Sequence, residues 1–127
     1  MYYSYKILVL VDDEINKFIL QKTLRGFNAS FYCNLEDYSK NDIQENYNVL
    51  VLDQYKVYSC KSLGIILMRL KQINEKQLKS LVFKSLIASD EIQELEKLGF
   101  DCVLDKAKHP MLVRDKVLSF LPTHSVA

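Results

Sequence analysis

The run Val9-Leu10-Val11-Asp12-Asp13-Glu14 sets three carboxylates directly behind an apolar stretch. Carboxylates this close raise one another's pKa unless a cation sits among them. Hard oxygen donors of this kind suit Mg²⁺, which one or two carboxylates commonly hold together with phosphate oxygens. Another acid, Asp53, ends the apolar run Val49-Leu50-Val51-Leu52, and Lys106 follows Val103-Leu104-Asp105. A carboxylate such as Asp53 can carry a phosphoryl group covalently. A lysine ammonium is a compact point charge for that group's oxygens. The Ser89 hydroxyl is a further donor, with Ser85 as its competitor. Asp12, Asp13 and Asp53 are thus the candidate metal ligands. Asp53, Lys106 and Ser89 are the candidate reacting group and its stabilisers. Each also has a plain structural reading. The acids after Val11 can cap a helix, Asp53 can sit in a turn, Lys106 can pair with Asp105, and Ser89 can flank a helix start.

The elements that must position these residues are readable as periodicities. Lys6 to Val11 is rich in Val, Ile and Leu and reads as a strand buried on both faces. From Ile15 to about Arg25, Ile15, Phe18, Ile19 and Leu24 fall near helical spacing, with Gly26 as a stop. Ala29 to Cys33 reads as a second strand, and Leu35 to Asn46 as a polar helix. Val49 to Asp53 repeats the opening device of an apolar strand followed by an acid. Leu63, Ile66, Leu67, Leu70 and Ile73 make an amphipathic helix. NEKQLK is a loop, and Leu81 to Ala88 a fourth strand interrupted by Lys84-Ser85. Asp90 can cap a short helix carrying Ile92, Leu95 and Leu98, which Gly99 ends. Phe100 to Leu104 is a fifth strand. Pro110 opens a last helix, Met111 to Leu121, and Pro122 stops it.

Five strands alternating with five helices predict an α/β fold, a parallel sheet covered on both faces. In a flavodoxin-like order 2-1-3-4-5, strands one and three are neighbours at the switch point, where sites form at the carboxyl ends of strands. Asp12, Asp13, Asp53, Ser89 and Lys106 would then gather at one edge. The expected organisation is one domain over residues 1–122 with a frayed tail at 123–127.

Composition excludes several classes. The chain has 127 residues, 17 basic and 16 acidic, and a net charge of +1. That balance gives no electrostatic case for nucleic acid or an anionic membrane. No segment approaches the roughly 20 apolar residues of a membrane span. The opening MYYSYKILVLVDDE does not fit a secretory leader. Cys33, Cys60 and Cys102 lack CxxC spacing and read as free thiols in a reducing cytoplasm. His109 and His124 have no partners at zinc-ligand spacing. With only Gly26, Gly64 and Gly99, there is no glycine-rich phosphate loop.

With VDDE after strand one, VLVLD ending strand three and VLDK ending strand five, the chain resembles the receiver domain of two-component response regulators. The resemblance implies that a histidine kinase or phosphotransfer protein donates a phosphoryl group to Asp53. It matches Asp12 and Asp13 to the metal-binding acids, with Mg²⁺ as the cofactor, and Lys106 to the phosphate-contacting lysine. It implies a cytoplasmic signalling protein rather than an enzyme with its own turnover, and output through contacts with a downstream protein.

The sequence departs from that pattern in several places. The segment Gln54-Tyr55-Lys56-Val57-Tyr58 lacks the usual Met-Pro and Gly. Bulky Tyr55 borders the expected path of the hydrolytic water, which predicts a long-lived phosphoryl group, and Lys56 adds a second cation. Val103 occupies the family's aromatic switch position, and Ala107 stands where a proline usually follows the lysine. These departures also suit an alternative, a phosphorylation-independent pseudo-receiver serving as an interaction module. A phosphatase with an aspartyl nucleophile needs an Asp-x-Asp pattern that Asp12-Asp13-Glu14-Ile15 does not supply.

Overall fold

The computed structural model describes residues 2–11, 13–33, 47–54, 60–73, 78–84, 89–105 and 111–121. Five strands form one sheet: β1 (Tyr2–Val11), β2 (Phe27–Tyr32), β3 (Val49–Gln54), β4 (Lys79–Lys84) and β5 (Cys102–Asp105). Among the described residues four helices connect or follow them: α1 (Glu14–Thr23), α2 (Cys60–Ile73), α3 (Ser89–Lys97) and α4 (Met111–Phe120). The sheet order is β2-β1-β3-β4-β5, and every pairing is parallel. This is the flavodoxin-like topology that the alternating pattern predicts. The helix expected over Leu35 to Asn46 lies outside the described residues.

Strand pleating divides the core in two. Odd positions of the central strands, Ile7, Val9, Val11, Val49, Val51, Leu81 and Phe83, pack with Leu20 and Leu24 of the α1 segment and Val113 and Val117 of α4. Even positions, Leu8, Leu10, Leu50, Leu52 and Val82, pack with Leu63, Leu67 and Leu70 of α2 and Leu95 of α3. Both faces of β1 and β3 are therefore buried, which is why these strands read as unbroken apolar runs. Burying each such side chain contributes about 1.5–3 kcal/mol.

Several local expectations are corrected. In α1 the stripe Ile15, Phe18, Ile19 faces solvent, at 75%, 57% and 41% exposure, while Leu20 and Leu24 are buried. The stripe is helical in period but lies opposite the pair that reaches the core. β4 begins at Lys79, inside the segment read as a loop, and its last described residue is Lys84. Its polar start is held by Asp101, whose Oδ2 accepts from Ser80 N at 2.8 Å and from Ser80 Oγ at 3.2 Å. β5 starts at Cys102 rather than Phe100. The helix expected to be capped by Asp90 already includes Ser89. It ends as foreseen at Gly99, whose φ is 111°. Phe100 N bonds Leu95 O and Gly99 N bonds Glu96 O, closing the last turn.

Candidate phosphoryl-acceptor site

The parallel register fixes which strand ends stand together. Val11, Asp53, Phe83 and Leu104 share one row across β1, β3, β4 and β5. Gln54, Lys84 and Asp105 share the next. Asp53 is therefore the next-to-last residue of the central strand, and it is 1% exposed. By strand alternation it lies on the face of Val49 and Val51, the face that α1 and α4 cover.

Asp13 stands at the same edge and on the same face, because it is the N-cap of α1. Its Oδ1 accepts from Asn16 N at 2.8 Å and its Oδ2 from Asn16 Nδ2 at 2.7 Å. The capping reading of this acid is thus realised. Asn16, which fixes the carboxylate by two bonds, escaped sequence reasoning. In the first turn, Glu14 Oε1 accepts from Cys33 Sγ at 3.3 Å, tying the end of β2 to the start of α1. Asp13, Glu14, Ile15 and Asn16 border an open depression of about 500 Å³.

Asp12, Lys106, Ser85, Tyr55 and Lys56 lie outside the described residues. Asp105, which precedes Lys106 in sequence, lies in the row of Gln54 and Lys84, one step beyond Asp53. Ser89 is exposed and is the first residue of α3, five positions after the last described residue of β4. Among the described residues no three His, Cys, Asp or Glu side chains form a metal-holding group. The structure thus brings Asp13 and Asp53 to one edge and one face and does not describe the other candidates, Ser89 apart. Oxygen donors at the mouth of a helix N-terminus, with a buried carboxylate behind them, match the preferences of a hard divalent cation and an anionic phosphoryl group.

Val103 is half-buried on β5 and packs against the α2–α3 side of the core. Neither Cys33 nor Cys102 is in a disulfide. Burial pushes the Cys102 thiol above its usual pKa, opposed by the nearby Lys116 charge. Among the described residues no helix is long and apolar enough to cross a membrane.

No protein-family model matches the chain, and no curated protein matches it in sequence. Solved structures do match it. A response regulator from Thermotoga maritima superposes with a TM-score of 0.76 at 16% identity, covering 91% of this chain and 96% of its own. An orphan response regulator of H. pylori superposes at 0.76 and 17% identity, covering 96% and 100%. A response regulator from Burkholderia pseudomallei, solved with a phosphorylated aspartic acid, a calcium ion and citrate, superposes at 0.68 and 18% identity, covering 94% and 68%. The chain has the fold of the response regulator receiver domains, and it places a buried aspartate and an acid-capped helix at the carboxyl edge of that fold.

Proposed function

We propose that this chain is a receiver-type signalling protein that accepts a phosphoryl group on Asp53 from a histidine kinase or phosphotransfer protein. The observation that carries the reading is the burial of Asp53, at 1% exposure, beside Val11 near the carboxyl end of the central strand. A buried carboxylate costs several kcal/mol unless the site compensates it, and a strand without a task at this position could end in an apolar or neutral residue. In the transfer, an Asp53 carboxylate oxygen forms a bond to phosphorus while the donor's phosphorus–nitrogen bond breaks. The leaving imidazole retains that electron pair.

Asp12, Asp13 and Asp53 would hold Mg²⁺, whose charge would offset that of the phosphoryl oxygens when bound. The chain's own contributions are positional. Asp13, fixed by Asn16, holds the start of α1 against the site. Lys106 would face one phosphoryl oxygen as a fixed cation, and Ser89 would donate to another. Tyr55 would screen the acyl phosphate from water and lengthen its life. The output would pass through protein contacts, and the location would be cytoplasmic.

The test is the intact mass of the protein after treatment with acetyl phosphate and Mg²⁺. One added phosphoryl group is expected, absent in Asp53→Ala. An unmodified wild-type mass would overturn the proposal. A second reading, a pseudo-receiver that binds its partner regardless of phosphorylation, is favoured by one observation: a half-buried valine, Val103, packs against the core where receivers carry a rotating aromatic ring. It predicts partner binding that Asp53→Ala and removal of Mg²⁺ leave unchanged.

A further inference from the structure

The two bonds between Asn16 and Asp13 differ in what they do. The first, from Asn16 N to Asp13 Oδ1 at 2.8 Å, is the ordinary bond of a helix N-cap, and any residue with a peptide N–H at this position would supply it. The second, from Asn16 Nδ2 to Asp13 Oδ2 at 2.7 Å, satisfies none of the backbone N–H groups at the helix start. It also reverses the usual side-chain device at this position. In a capping box the third helical residue is Glu or Gln, and it accepts from the cap's own backbone N–H. Here the third helical residue, Asn16, donates to the cap's carboxylate instead. Asparagine is moreover a weaker helix former than alanine, glutamate or glutamine. The needs of the helix therefore do not account for an amide at position 16.

What the second bond does is hold a carboxylate still. A single bond to one oxygen leaves a carboxylate able to turn, whereas bonds to both oxygens from one residue fix its plane. Asp13 O also accepts from Lys17 N at 3.0 Å, so main chain and side chain of this acid are both fastened to the first turns of α1. The bond from Asn16 Nδ2 is partly buried, and a hydrogen bond to an ionised acceptor is among the stronger kinds. The next acid of the run is engaged elsewhere, since Glu14 Oε1 accepts from Cys33 Sγ just past β2. Asp13 thus has a set orientation at the edge where Asp53 is buried beside Val11.

Resting on the reading of Asp13 as a metal ligand, we propose that Asn16 is a positioning residue: by holding the Asp13 carboxylate it raises the affinity of this edge for Mg²⁺ and favours Mg²⁺ over Ca²⁺. A group that orients a ligand from behind typically contributes about ten- to a hundredfold in metal affinity. The two ions ask for different things. Mg²⁺ demands near-ideal octahedral geometry, whereas Ca²⁺ accepts a larger and more flexible shell of oxygens. A carboxylate released to turn therefore costs Mg²⁺ more than it costs Ca²⁺.

Thermal unfolding of the full chain, in EDTA and across titrations of Mg²⁺ and of Ca²⁺, tests this. Asn16→Ala deletes the Nδ2 donor and keeps the N–H that caps the helix. Its midpoint in EDTA should stay close to wild type, because better helix propensity offsets the lost bond. The Mg²⁺ concentration needed for a given rise above that midpoint should increase about tenfold or more. The Ca²⁺ concentration should increase by a clearly smaller factor. Asn16→Leu, which fills similar space without a donor, should behave as Asn16→Ala does, each variant being referred to its own midpoint in EDTA. An Asn16→Ala protein that responds to both ions as wild type does, or that loses both responses equally, overturns the proposal and leaves Asp13 as a ligand. So does an Asn16→Leu protein with the wild-type response. A wild type that Mg²⁺ does not stabilise at any concentration overturns the metal reading of Asp13, and the role of Asn16 with it.

Discussion

Asp53 and Ser80 are the buried polar residues among those described, and they lie at opposite edges of the same sheet. At the amino edge, Ser80 is fully enclosed and meets an acid, Asp101, which follows the carboxyl end of α3. Helices arrive there with their carbonyl ends, so an acid finds no general pool of donors and must be tied to particular ones. Ser80 N and Oγ supply them to Asp101 Oδ2, while Asp101 N bonds back to Ser80 Oγ at 3.2 Å and to Ser80 O at 3.1 Å. At the carboxyl edge helices begin, their N–H groups and positive dipole ends face the strand ends, and anions are favoured. Asp13 takes up that field as the cap of α1, and Asp53 is buried near the same edge. The same residue type is therefore a fastener at one edge and a candidate reactive group at the other, and the direction of the helices decides which.

Substitution at the two edges should separate these roles. The largest effect is expected for Asp53→Asn, which should abolish the acetyl phosphate adduct completely, because asparagine offers no carboxylate oxygen to phosphorus. Asp101→Ala should do the reverse. It leaves a buried Ser80 N–H without its acceptor, which costs about 1–3 kcal/mol in denaturant unfolding, and the adduct should still form. If Asp101→Ala lost the adduct while Asp53→Asn kept it, the contrast between the edges would be wrong. A smaller effect belongs to Arg114, whose Nη1 bonds Thr23 O and Arg25 O, both at 2.9 Å, closing the carbonyl end of α1. Its guanidinium also lies 4.9 Å from the Phe27 ring centroid. Arg114→Ala should cost about 1–2 kcal/mol. Arg114→Lys should recover only part, since the planar fork is lost.

The sheet was legible because its central strands are buried on both faces, and a parallel strand so placed has no polar alternation to confuse the reading. Val49 to Asp53 announced both the strand and the acid near its carboxyl end. What pattern alone did not show was direction. Ile15, Phe18 and Ile19 prove a helix but not which side of it faces the core, and Leu20 and Leu24 took that side. The start of β4 was hidden because Lys79 and Ser80 are polar, and Ser80 is buried only through its tertiary partner Asp101. Ser89, just past the strand read over Leu81 to Ala88, is the first residue of α3, since a helix start and a strand end use the same small polar residues. At the site, the acids were visible as types and spacings. The two bonds from Asn16 to Asp13 are geometry, and they turn one of those acids into a fixed cap.

Asp13 is the residue where the two edges' logics meet, since it caps a helix and also stands among the candidate metal ligands. The two roles differ in what they ask of the side chain. A cap needs an acceptor oxygen for Asn16 N, which asparagine provides as well as aspartate does. A magnesium ligand needs the negative charge, which asparagine lacks. Asp13→Ala should therefore lose about 1 kcal/mol of stability in EDTA, whereas Asp13→Asn should lose almost none. Thermal unfolding with and without Mg²⁺ then isolates the second role. Wild type should gain stability as Mg²⁺ is added, because an ion that binds only the folded chain shifts the equilibrium towards it. Both variants should lose most of that gain. An Asp13→Asn protein that responds to Mg²⁺ as wild type does would leave Asp13 with its cap alone. The metal would then have to be held by acids that do not include it.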